Sequence, residues 1–253
     1  YRMFNNKVIE FHYPKAAFKF LEDNLPEPIS KIIPDWYKEL KHTLERKTVK
    51  GCVPFMDTLI SGYVLKMPQD MFINHNFYDK EKKAYDSVYS FAYGAETNYL
   101  DNNYINLNTT KTDAHPKEQL GDKCPFHEKN KNLPYYKIVN PFVIKTPPGY
   151  SCLFVPPLNN SDDRFNIIPG IVDTDSYVNE INFPIVINGD KYSNLKTVIK
   201  RGTPYVQVIP FKRDDWQMKT VSYEGHNKQN KFLNVKSIIN NYKKYIWKKK
   251  KWS

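Results

Sequence analysis

The sequence predicts a mainly β chain, and three observations carry the prediction. Between Gly51 and Phe211 the apolar stretches are short, and Gly or Pro bounds nearly every one. Several alternate with period two, and helical spacing is confined to the two ends of the chain. Many short strands closely spaced between turn signals specify an all-β barrel or sandwich with terminal helices.

Residues 1–50 read as an N-terminal α/β extension. "VIEFHY" alternates like a short strand, and two helix-like pieces follow. In the second, "KIIPDWYKELKHTLERK", Pro34 suits a first helical turn and Asp35 complements the helix dipole. Trp36, Leu40 and Leu44 then share one face, which predicts a packing surface. From Gly51 the pattern turns to strands: "GCVPFMDTLISGYVLKMPQDMFINHNF" is punctuated by Gly62 and Pro68, and "YDSVYSFAYG" alternates up to Gly94.

Residues 97–136 are rich in turn formers and predict an inserted loop within a barrel spanning 51–215. Strands resume from Ile138 to Phe211. In "YVQVIPF", Val206, Val208 and Pro210 are expected on one face, with Tyr205, Gln207 and Ile209 on the other. In the last segment, 216–253, Val235, Ile238, Ile239, Tyr242 and Ile246 lie near helical spacing. They predict an amphipathic helix that ends in lysines.

With 19 Tyr and 15 Phe against 9 Gly, large rings are expected to fill the core. No run of about 18 apolar residues occurs and no signal-peptide pattern opens the chain, so neither membrane spanning nor export is expected. Cys52, Cys124 and Cys152 are odd in number and widely spaced, which fits free thiols in a reducing compartment. The formal charge of +11 fits a polyanionic partner, although AT-rich codons also favour the Lys, Asn, Ile, Tyr and Phe that abound here.

Much of that charge sits in "YKKYIWKKKKWS". Lys243, Lys244, Lys248, Lys249, Lys250 and Lys251, interleaved with aromatics, form either a nucleic-acid or polyanion contact or a solvated helix end. Asp173 and Asp175 form either a paired carboxylate that holds Mg²⁺ or an Asx-type turn. His115, Cys124 and His127 lack a fourth ligand, so no metal site is expected there. Zinc-deaminase, serine-triad, P-loop and Rossmann signatures are absent from the sequence.

Three phrases in order, "PPGYSCLFVP", "PGIVDTDSYVNEI" and "KRGTPYVQVI", resemble the fold family of the dUTPases and dCTP deaminases over about 60 residues; "DTLISGYVLKMP" resembles that family's "AGYDL" motif. The whole chain, through "IPDWYKEL", "PFMDTLISGY" and "TPPGYSCLFV", also resembles an uncharacterised protein family common in marine bacteriophage genomes. The first resemblance implies a jelly-roll barrel, usually a homotrimer. Asp173 would stand where the family activates water, Tyr177 under the deoxyribose, and Gln207 at the Gln of "IAQL".

The sequence departs from the family at the phosphate. Pro157 and Leu158 occupy the positions of the Arg-Ser motif, and the Gly-rich, Arg-containing tail is missing. "DTDSY" also holds one residue more than "DxDY", which reverses the facing of every later residue in the hairpin unless a bulge absorbs it. The expected function is therefore a catalytically degenerate dUTPase-fold protein of a phage or virus, a structural or binding module in the virion or host cytoplasm. Its partners would be other viral structural proteins, or nucleic acid held by the basic tail. It would need no cofactor. The alternative is a nucleotide pyrophosphatase or nucleotide-binding protein with a site rebuilt around Asp173, using Mg²⁺.

Overall fold

The computed structural model describes residues 7–43, 45–91, 114–222 and 241–253. It is mainly β, with its strands in four sheets. The largest sheet has the order β10-β8-β13-β3-β2, built from β10 (Gly170–Val172), β8 (Tyr150–Val155), β13 (Pro204–Lys212), β3 (Tyr63–Lys66) and β2 (Glu27–Pro28). A second places β4 (Met71–Asp79) between β12 (Leu195–Ile199) and β5 (Ala84–Phe91). A third is β6 (Lys137–Ile138), β11 (Phe183–Ile187) and β9 (Phe165–Ile167), and the fourth pairs β1 (Glu10–His12) with β7 (Val143–Lys145). Among the described residues these ladders close no barrel.

One core cluster joins the sheets, and rings fill much of it as composition predicts. Phe154 packs on Phe183 with centroids 5.4 Å apart, Phe183 on Tyr205 at 5.8 Å, and Tyr89 stacks on Tyr136 at 4.1 Å. The N-terminal extension shares this core: Ala17 and, in helix α1 (Phe18–Leu21), Leu21 are buried in it, β1 pairs with β7, and β2 extends the edge at β3.

Strand β13 departs from the expected alternation. Tyr205, Val206, Gln207 and Val208 are all buried, because the sheet is covered on both faces there: Tyr205, Val206 and Val208 join the core cluster, while residues 58–61 and the turn after β8 cover Gln207. Pro210 lies beyond the stretch that pairs with β3, so on that side it occupies an edge position, where a missing N–H is tolerated.

Four expectations need correction. Residues 53–60 form helix α3 (Val53–Ile60) where a strand was expected; over eight residues periodicity does not separate a strand from a helix. Pro54 in its first turn and Gly62 just past its end were the signals that pointed to a helix. Helix α2 stops at Asp35–Glu39, since Leu40 is already extended. Its inward residue is Tyr37, stacked on Phe55 of α3 at 5.9 Å, while Trp36 is exposed; Leu44 lies outside the described residues.

Of the loop expected over 97–136, residues 97–113 lie outside the described residues, and 114–136 are packed. His115 bridges Tyr135, helix α4 (Pro125–Lys129) follows, and Leu133, Tyr135 and Tyr136 are buried. Of the expected C-terminal helix, Val235, Ile238 and Ile239 also lie outside, and the described part is the short α5 (Asn241–Tyr245). The chain after it is docked through Trp247, Lys250 and Trp252, while its other lysines stay exposed as a solvated end would be. Trp247 donates its indole N–H to Asp57 at 3.0 Å, Lys250 pairs with the same carboxylate, and Trp252 packs edge-on against Tyr63 at 6.0 Å.

Candidate functional site

Strand β10 pairs with β8 in the register Val172↔Cys152, which sets the turn after β10 beside the start of β8. That turn begins at Asp173, whose carbonyl accepts from the backbone of Ser176 at 3.1 Å and Tyr177 at 2.9 Å. Thr174 turns inward, buried, to bond Thr146 at 2.7 Å and the Cys152 thiol at 3.3 Å, while Tyr177 is left exposed.

Arg213, just past the end of β13, reaches across β8 to both aspartates. Its Nη1 lies 3.2 Å from Asp173 Oδ1, 3.0 Å from Asp175 Oδ1 and 2.9 Å from Ser151 Oγ, and Nη2 pairs with Asp175 Oδ2. Ser151 donates its hydroxyl to Asp173 Oδ1 at 2.6 Å, and the Gly149 N–H donates to Asp175 Oδ2 at 2.8 Å. The result is a closed clasp. Arg213, then the Gly149 amide, hold the Asp175 carboxyl down at about 2.

This arrangement does not fit a magnesium site. The guanidinium engages every carboxylate oxygen of the pair except Asp173 Oδ2, and a divalent ion there would meet a fixed positive charge about 3 Å from the others. Replacing Arg213 with Gln is expected to raise the Asp175 pKa from about 2 toward the ordinary aspartate value of about 3.9, read by carboxyl NMR titration. An unchanged titration would mean that the clasp does not set that charge.

Gln207 does not join the aspartates. It faces Val155 at the far end of β8 from Ser151, four residues on and so roughly 13 Å away along the strand. There it is fully buried and engaged. Its Oε1 accepts from the Leu158 N–H at 2.8 Å, and its Nε2 donates to the carbonyls of Thr58 at 2.9 Å and Ser61 at 2.7 Å. It thus satisfies the open C-terminal carbonyls of α3 and pins the turn after β8.

That turn carries Pro157 and Leu158. Asn159 donates to the Thr58 hydroxyl at 2.7 Å and Asn160 to the Ile32 carbonyl at 3.2 Å, so the turn is seated against α3 and the 3-10 turn at Ile29–Ile32.

Beside the clasp, on the Pro147–Tyr150 turn, opens a cleft of about 420 Å³. Its walls include Lys7, Tyr63, Tyr150, Lys212, Lys251 and Trp252. Lys7 Nζ lies 5.0 Å over the Tyr150 ring, and the buried Trp252 indole N–H has no acceptor among the described residues. Of the tail lysines, Lys251 enters this cleft, Lys250 is tied to Asp57, and Lys243, Lys244, Lys248 and Lys249 are exposed.

Sequence reasoning found Asp173 and Asp175 but missed Ser151 and Arg213. They lie 22 and 40 residues from Asp173, and only strand register brings them to it. Among the described residues no group of three His, Cys, Asp or Glu is placed to hold a metal; His115 instead bonds Gln119 at 2.6 Å and stacks on Tyr135. The three cysteines are free, Cys152 buried and its thiol pushed up to about 11 by that burial. No described helix is long and apolar enough to cross a membrane. No protein-family model matches the chain, and no curated protein matches it.

Proposed function

We propose that the chain is a non-catalytic structural or binding module, a dUTPase-fold protein of a phage or virus that has lost phosphate chemistry. The observation that carries this reading is the clasp. Arg213 and Ser151 occupy Oδ1 of Asp173, the carboxylate at the water-activating position of the resemblance, and a guanidinium fixed beside it weakens it as a general base.

Two further features support it. Gln207 is consumed inside the sheet, and a proline and a leucine stand where cationic and hydroxyl donors would stabilise a transferring phosphoryl group. The jelly-roll barrel and homotrimer of that family belong to the same proposal, as do the virion or host cytoplasm as location. The basic cleft and the exposed tail lysines are the surface it offers to a polyanionic partner or another viral structural protein.

The test is a panel of the deoxynucleoside triphosphates with Mg²⁺. The expected result is no release of phosphate or pyrophosphate, identical in wild type and Asp173→Asn, with the protein recovered from purified particles. Hydrolysis that Asp173→Asn abolishes would establish the rebuilt nucleotide pyrophosphatase instead.

A further inference from the structure

In the cleft on the Pro147–Tyr150 turn, positive charge and aromatic rings meet. The register of β13 on β8 sets Lys212 opposite Tyr150 and Pro210 opposite Cys152, so these side chains share one face of the sheet. Further along, the same face carries Val208 and Phe154 of the core cluster; at the Tyr150 end it forms a wall of the cleft. Lys7 reaches over the Tyr150 ring at 5.0 Å from one side. From the other, the tail contributes Lys251 and Trp252, the latter held edge-on against Tyr63 at 6.0 Å.

The lining contains three lysines and no Asp or Glu among the described residues. Lys212 pairs with Asp214, but Lys7 and Lys251 have no acidic partner among the described residues. The neighbouring clasp, two aspartates on one arginine, carries one net negative charge, and the exposed Lys248 and Lys249 outweigh it. Residues 1–6, which lead into Lys7, add Arg2 and no acid; residues 223–240 hold Lys228, Lys231 and Lys236 against Glu224. Both segments therefore add to the positive charge.

We infer that the cleft takes one unstacked nucleotide of a single-stranded nucleic acid, its base against Tyr150 and Trp252 and its phosphate on Lys7 and Lys251, with Lys248 and Lys249 meeting the phosphates that follow. Size and composition favour this occupant. A cleft of about 420 Å³ is that of a small-ligand site, and its rings can stack only on a base whose face is free, which a duplex does not offer. The lysines that continue past the cleft call for a run of phosphates and not a single one. The inference deepens the polyanion reading above and rests on it, but it does not involve catalysis. Failure to bind a strand would leave the silent nucleotide panel standing, and hydrolysis lost in Asp173→Asn would leave strand binding standing.

Fluorescence anisotropy of the full chain with a labelled oligothymidylate of about 12 nucleotides tests it. The strand is expected to bind, with a duplex of the same length and thymidine monophosphate each at least about tenfold weaker. Contact with about four phosphates gives a slope of log affinity on log salt near −3. Lys7→Glu with Lys251→Glu should weaken binding and flatten that slope by about 1.4, whereas Lys117→Glu with Lys123→Glu, the same charge change on exposed residues outside the cleft, should leave the slope as it is. Tyr150→Leu should cost about tenfold in affinity at an unchanged slope and an unchanged Tm, and Tyr150→Phe should restore it. A bromodeoxyuridine strand should photo-crosslink to the peptides that carry Tyr150 or Trp252, a readout that needs no variant. Absence of binding, as from a cleft filled by the chain's own residues, would overturn the inference. So would a duplex bound as tightly as the strand, equal losses in the two lysine pairs, or crosslinks confined to other peptides.

Discussion

Gly62→Ala is expected to destabilise the fold by roughly 3–5 kcal/mol, the sum of a left-handed backbone penalty and a steric one. Gly62 has φ +81, and a Cβ there would stand 2.1 Å from the Val208 carbonyl oxygen. That oxygen belongs to β13, which pairs with β3 directly after the glycine, so it is held by the sheet and does not yield as a flexible side chain would. The Gly62 carbonyl also accepts from the Ile29 N–H at 3.1 Å, so relaxing the turn would cost a bond to the N-terminal segment. Gly149→Ala is the internal control. Its φ is +83 but nothing lies within 4 Å of the added carbon, so only the backbone term of about 1–2 kcal/mol applies. Urea unfolding of both variants separates the two contributions; equal losses would show that the contact with Val208 carries none of the effect.

The same glycine illustrates how far the sequence could be read. Gly62 was legible as a break between apolar stretches, and its φ is positive. The alternation of "YDSVYSF" was legible as β5, and "VIEFHY" as β1. Helix α3 was misread because eight residues are too short a window for periodicity to tell a helix from a strand. Sheet membership was not legible at all. Pairing of β13 with β8 spans some sixty residues of chain, and neither Ser151 nor Arg213 carries a local mark of its neighbour. The aspartates were visible as chemistry, but whether they were free or clasped depended on a residue that only long-range register supplies. Gln207 shows the converse, since its place in a motif suggested a ligand contact whereas its burial between α3 and β8 makes it a tie within the fold.

Acid is expected to unfold the protein through His75 well before its clasped carboxylates respond. His75 lies on the inner face of β4, fully buried. Its Nδ1 meets the Ser87 hydroxyl at 2.8 Å and the Tyr89 hydroxyl at 2.9 Å, both from β5, and its Nε2 has no partner among the described residues. Burial first, and then the nearby charge of Lys131, hold its pKa at about 4 against an ordinary 6.5. Between those values the unfolded chain takes up a proton that the folded chain refuses, so stability falls as pH falls. The contribution is complete above pH 6.5 and is lost progressively down to about 4, amounting to about 3 kcal/mol. Asp175 acts in a lower window, from about 3.9 down to about 2, and does not obscure this one. Gln at position 75 can still accept a hydrogen bond from Ser87 or Tyr89 but cannot titrate. Urea unfolding of wild type and His75→Gln at intervals from pH 7.5 to 4 should therefore give a falling stability in the first and a flatter line in the second. Parallel slopes would assign the acid sensitivity to another group.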